Sequence, residues 1–170
     1  MSQALLQEFI DQSLYFLNEN TPRIKNCLDR LTEDQVWQRP NASSNSIGNL
    51  IIHLNGNITQ YILSSLGGEE DLRERDLEFS AKEGWNKNEL FDLISGTINQ
   101  ATEVIQKLSE EDLLTSRSVQ GFDYTGVANI IHVVEHYSYH TGQIAYWTKL
   151  LKDEDLEFYD GKDLNKRNEF

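Results

Sequence analysis

Residues 130–144, Ile130-Ile131-His132-Val133-Val134-Glu135-His136-Tyr137-Ser138-Tyr139-His140-Thr141-Gly142-Gln143-Ile144, carry two periodicities at once. At about 100° per residue, Val127, Ile130, Ile131, Val134, Tyr137, Thr141, Ala145 and Thr148 form one broad apolar stripe. His132, His136 and His140 form a second row on nearly the opposite side, with Asn129, Gln143 and Trp147. The pattern predicts a long amphipathic helix over Thr125 to Lys152. Residues four apart on a helix stand one above the other, with β-carbons about 5–6 Å apart. Two such imidazoles can converge on one ion, whose bonds to nitrogen are about 2.0–2.1 Å.

The same period extends through the rest of the chain. Leu5, Leu6, Phe9, Ile10, Leu14, Leu17, Ile24, Leu28 and Leu31 predict a first helix over residues 3–31, kinked where Thr21-Pro22 interrupts it. Thr32-Glu33-Asp34-Gln35 reads as a cap and acidic first turn of a short helix carrying Val36 and Trp37. Ser46 caps a second long helix reaching Ser65, and Gly67-Gly68 ends it. Charged residues dominate Glu69 to Glu83, which reads as a long loop. A third long helix is expected from Asn88 to Leu108. After it, Ser109-Glu110-Glu111-Asp112 repeats the capped acidic signal, and residues 115–124 suit a small hairpin or a loop. The expected organisation is one all-α four-helix bundle over residues 1–152, followed by a charged tail, 153–170, that packs loosely or frays.

Composition narrows the partners. Fifteen lysines and arginines against 28 acids give a net charge of −13, which repels nucleic-acid phosphates and anionic membranes. The single cysteine, Cys27, excludes an intramolecular disulfide and falls within the apolar pattern of the first helix, where a buried structural thiol is expected. The N-terminus shows no basic segment followed by an apolar run, so a cytoplasmic protein is expected.

His53 is the only histidine outside the fourth helix, and it sits in the apolar context Ile51-Ile52-His53-Leu54. A buried imidazole needs partners for both ring nitrogens. Spacing leaves two answers open: a metal ion, or ordinary hydrogen bonds to a carbonyl or carboxylate.

The sequence resembles the DinB/YfiT-like superfamily. The resemblance rests on Asn45-Ser46-Ile47-Gly48-Asn49-Leu50 leading into His53-Leu54, and on Glu135-His136 with His140-Thr141-Gly142-Gln143-Ile144. It implies a four-helix bundle with a three-histidine site for a divalent metal (zinc, nickel or iron), one ligand on the second helix and two on the fourth. Those positions are His53, His136 and His140; His132 matches a histidine often seen one turn before the ligand pair and not usually a ligand, for which a place lining the cavity beside the ligands and an ordinary surface position both stay open. The resemblance further implies a small-molecule substrate, a homodimer, and a thiol-dependent transferase or isomerase using a cofactor of the bacillithiol or mycothiol type. A metal-dependent hydrolase and a non-catalytic binding protein stand as alternatives. The hydrolase would want a carboxylate base, and Glu135 points about 100° away from its histidine neighbours. Tyr139 and Trp147 could line a cavity, and Asn49 and Asn57, four residues to either side of His53, could reach toward the site.

Overall fold

The computed structural model describes residues 3–168; Met1, Ser2 and the last two residues of the expected tail lie outside it. Four long helices pack around one core, with short helices and a hairpin in the connections. Helix α1 (Gln3–Arg30) runs continuously through Pro22. It packs against α7 (Gly126–Lys152) and α5 (Lys87–Ile105). Helix α3 (Ile47–Ile58) packs against α5, α7 and the short α4 (Arg75–Ser80). Among the described residues, no helix is long and apolar enough to cross a membrane.

Local chemistry explains where these helices start. Thr32 caps α2 (Glu33–Trp37), Ser46 caps α3 and Ser109 caps α6 (Glu110–Leu114). In each case the side chain three positions on returns the bond, so two orphan N–H groups are satisfied together. Asn86 and Glu89 do the same for α5, which therefore begins just before the expected Asn88. Strands β1 (Ser116–Val119) and β2 (Phe122–Thr125) form the hairpin allowed for at 115–124. Gln120 and Gly121 turn it, both at positive φ, as the twist of a two-residue hairpin requires. Thr125 then caps α7.

The core is aliphatic. Leu17, Ile24 and Leu28 of α1 meet Ile51, Leu54 and Ile58 of α3, Ile94 of α5 and Ile130 of α7, all essentially inaccessible. Each such side chain contributes about 1.5–3 kcal/mol by leaving water. Cys27 is fully buried, and burial pushes its thiol pKa up. In the tail, Leu156 is buried, while Arg30 pairs with Glu154 and Glu157.

Two features depart from the periodic reading. The second long helix changes to π-helical geometry over Thr59–Ser64, where Ser65 N–H bonds back to the Gln60 carbonyl. The segment expected as loop, Glu69 to Glu83, contains α4. Leu72 and Leu77 of that segment point outward, and Glu78 points inward. The buried face of α4 thus carries a charge, and hydrophobic periodicity could not reveal it.

Candidate metal centre

Capping at Ser46 fixes the register of α3 and turns His53 inward, where it is 5% exposed. Helix α7 crosses it with His136 and His140, one half-buried and one buried. One ring nitrogen from each of His53, His136 and His140 lies within 4.8 Å of the other two. The Nε2 atoms of His53 and His136 are 2.9 Å apart. Nitrogens on a tetrahedral ion at ordinary bond lengths stand about 3.3 Å apart. Small side-chain adjustments would therefore admit an ion, and the three residues fit a divalent metal.

The histidine row is not opposite the core, as periodicity suggested. His140, Asn129 and Thr141 are buried with Ile130, Val133, Tyr137 and Ile144, whereas Ile131 is 55% exposed. Helix α7 packs on both α1 and α3, so it is covered over a wider arc than one stripe. His132 stands outside the three-nitrogen group. Its Nε2 accepts from Asn57 Nδ2 at 3.1 Å, and its ring stacks on Tyr61 at 4.2 Å.

Outer hydrogen bonds set the tautomers. His140 Nδ1–H donates to Gln143 Oε1 at 2.6 Å, leaving Nε2 with its lone pair. His53 Nδ1–H donates to Glu78 Oε2 at 2.8 Å, with the same consequence. Glu78 is held in turn by Arg73, whose Nε donates to Oε1 at 2.7 Å and Nη2 to Oε2 at 3.0 Å. Gln60 accepts from Arg73 Nη1 at 2.8 Å. A carboxylate behind a histidine fixes its ring and raises its basicity toward a metal.

Other residues brace this clamp. Asn49 Nδ2 donates to the carbonyls of Glu78 (2.9 Å) and Ala81 (2.7 Å), tying α4 to α3. The π-helical turn brings Gln60 onto Arg73 and Tyr61 onto His132, as wider turns often do at functional sites. Burial works against ionisation of Glu78, but the hydrogen bonds from His53 and Arg73 outweigh it and hold its pKa below the usual carboxylate range. Sequence reading did not find Arg73 and Glu78. Their only signal was an Arg and a Glu five residues apart in a charged segment.

Gly56 makes room for the clamp. A methyl group there would overlap the Glu78 carboxylate and stand 3.0 Å from Arg73 Nε. Alanine for glycine inside a helix ordinarily stabilises by roughly 0.5–1 kcal/mol. Gly142→Ala, where a β-carbon meets open space, should give that gain. Gly56→Ala should give none and should weaken metal binding about 10–100-fold, read by chelator competition. Unchanged affinity would remove Glu78 from the site.

Desolvation lowers the pKa of His136 to about 3, with the charges of His140, His53, His132 and Arg73 adding to it. Desolvation also lowers His132 and His140; the Gln143 hydrogen bond partly opposes it at His140. Below the ordinary histidine pKa of about 6.5 the unfolded chain therefore takes up protons that the native state refuses. Metal-free protein should lose stability as pH falls from about 6.5 toward 3, and hold it above 7. Urea midpoints at pH 7.5 and 5.5 measure the effect, and the drop should shrink in His136→Gln. An equal drop in both would contradict the assignment.

Residues 4–160 match the model of a family described as protein of unknown function, DUF1572. No curated protein matches the sequence. Several solved structures share the fold. A conserved protein from Enterococcus faecalis is 15% identical with a TM-score of 0.70, covering 85% of this chain and 97% of its own. A DinB-like protein from Bacillus cereus is 18% identical with a TM-score of 0.65, covering 83% and 91%. A DinB-like protein from Bacillus subtilis, YjoA, is 18% identical with a TM-score of 0.66, covering 87% and 96%. At such identities the likeness is one of fold, and it is the helical DinB-like fold that the sequence motifs implied.

Proposed function

This chain belongs to the DUF1572 family, and from that premise we propose that it is a metal-dependent enzyme that activates a low-molecular-weight thiol. In this reading His53, His136 and His140 hold one divalent ion (zinc, nickel or iron), and the thiol is transferred to a small electrophile or assists its isomerisation. The reading rests chiefly on one observation. Among the described residues, the two clefts lined by His53 and His136 and by His140 carry no carboxylate. Glu78, which touches His53, is engaged on both oxygens by His53 and Arg73. A hydrolase working through a carboxylate base has no free candidate there.

When bound, the ion would act as a Lewis acid and make a coordinated thiol acidic enough to be a nucleophile at neutral pH. The protein's own residues supply the rest. Glu78 and Gln143 keep the imidazole protons of His53 and His140 on Nδ1, which would leave Nε2 of each ring free to hold the ion. Held by the three neutral imidazoles of His53, His136 and His140, the ion would keep its full charge. His53 and His136 line a cleft of about 330 Å³, and His140 lines a second of about 470 Å³ with Tyr139, Gln143, Tyr146 and Trp147. Two clefts approaching one centre suit two reactants, and the aromatic walls of the larger suit an apolar electrophile.

The test is conjugation of cysteine or bacillithiol to 1-chloro-2,4-dinitrobenzene by metal-loaded protein. Thiol-dependent turnover that disappears on chelation is expected. Stoichiometric metal without any rate above the uncatalysed reaction, across both thiols, would refute the thiol-transfer reading.

A further inference from the structure

The smaller cleft is cationic in a strongly acidic protein. Beside His53, His132 and His136 it is lined by Asn57, Gln120, Phe122, Arg73 and Arg75, and by no carboxylate. The two arginines differ. The Arg73 side chain is buried, and its charge is already paired with Glu78 while Gln60 takes a further N–H. Arg75 is exposed and, among the described residues, makes no ion pair, although the chain carries 28 acids.

Arg75 is nevertheless held in place. Its guanidinium lies 4.7 Å from the centre of the Phe79 ring, and that ring packs 4.7 Å from the ring of His53. Cation–π stacking leaves the planar edge of the guanidinium free to donate. A cation without an ion pair among the described residues therefore stacks on the ring that packs against a candidate metal ligand, and it lines the same cleft. Asn57 is 3% exposed and also lines this cleft; its Oδ1, without a hydrogen-bond partner among the described residues, calls for a donor from the ligand such as a thiol S–H, so a carboxylate would rest on Arg75 alone.

We infer that Arg75 is a specificity residue, and that the reactant reaching the centre through this cleft carries a carboxylate that pairs with it. The inference rests on the metal reading above. A guanidinium matches a carboxylate with two parallel hydrogen bonds. One unpaired cation balances the single charge of a carboxylate, whereas a phosphate brings up to two. The volume of about 330 Å³ lies at the small end of the range for ligand pockets, which fits a compact acid.

The experiment uses cobalt(II)-loaded full-length protein and matched thiols. Mercaptoacetate, 3-mercaptopropionate and 4-mercaptobutyrate are each titrated against the corresponding mercapto-alcohol, following the thiolate-to-cobalt absorption. At least one acid should bind about tenfold or more tightly than its alcohol. Arg75→Gln should abolish that preference and Arg75→Lys should retain part of it, with the alcohols binding all three proteins alike. Cobalt and thiol binding without any preference for acids, or a preference that survives Arg75→Gln, overturns the role of Arg75 and leaves the metal centre standing. Failure to bind cobalt, or to perturb it with any thiol, overturns the metal centre and the carboxylate site together.

Discussion

Replacing His53, His136 or His140 with alanine should strip the protein of bound metal while leaving it helical. Each contributes one of the three ring nitrogens that lie within 4.8 Å of one another, and among the described residues no fourth histidine, cysteine or carboxylate joins that group to take over. The loss should exceed the roughly 10–100-fold that follows from removing an outer hydrogen-bond partner. Helicity should persist because the buried aliphatic residues of α1, α3 and α5 do not depend on the site. Elemental analysis of tag-free protein, beside far-ultraviolet circular dichroism, measures both. Wild type should carry about one equivalent, and His132→Ala should keep it, since His132 bonds to Asn57 outside the group. Full occupancy in two of the three alanine variants would remove the ligand set.

Glu78→Gln should be the most damaging substitution away from the histidines. The Glu78 and Arg73 side chains are 7% and 4% exposed, so removing one charge leaves the other buried without a counterion. That typically costs about 3–5 kcal/mol. The same change weakens the acceptor that orients His53, which should lower metal affinity about 10–100-fold. A second variant separates the two effects. Glu78→Leu with Arg73→Met replaces the pair by apolar groups of similar size, and such exchanges are often neutral for stability. The double variant should recover the urea midpoint and still bind metal weakly. Recovery of both would make the pair purely structural; recovery of neither would point to a wider collapse of α4.

Much of this molecule is local, and local chemistry was legible. Thr32, Ser46 and Ser109 began helices where capping residues should, because a cap bonds to atoms three positions away in the same chain. Long apolar periodicities marked the four long helices, since each buries a continuous face. The choice among the histidines was of another kind. His132, His136 and His140 share one spacing, so geometry within α7 cannot say which of them meet His53. The family motifs pointed to His136 and His140, and the crossing of α3 over α7 brings those two to His53.

By itself, then, the sequence determined the helical architecture, the caps at Thr32, Ser46 and Ser109, and the presence of four histidines on two helices. Tertiary structure alone decided that Glu78 and Arg73 stand behind His53, that a π-helical turn aims Gln60 and Tyr61 at the site, and that Arg75 stacks on Phe79 with no ion pair among the described residues. The physical reason is that hydrophobic periodicity records only the burial of apolar side chains. In α4 the apolar Leu77 is exposed and the charged Glu78 is buried, an inversion stabilised by hydrogen bonds from α3 and from Arg73.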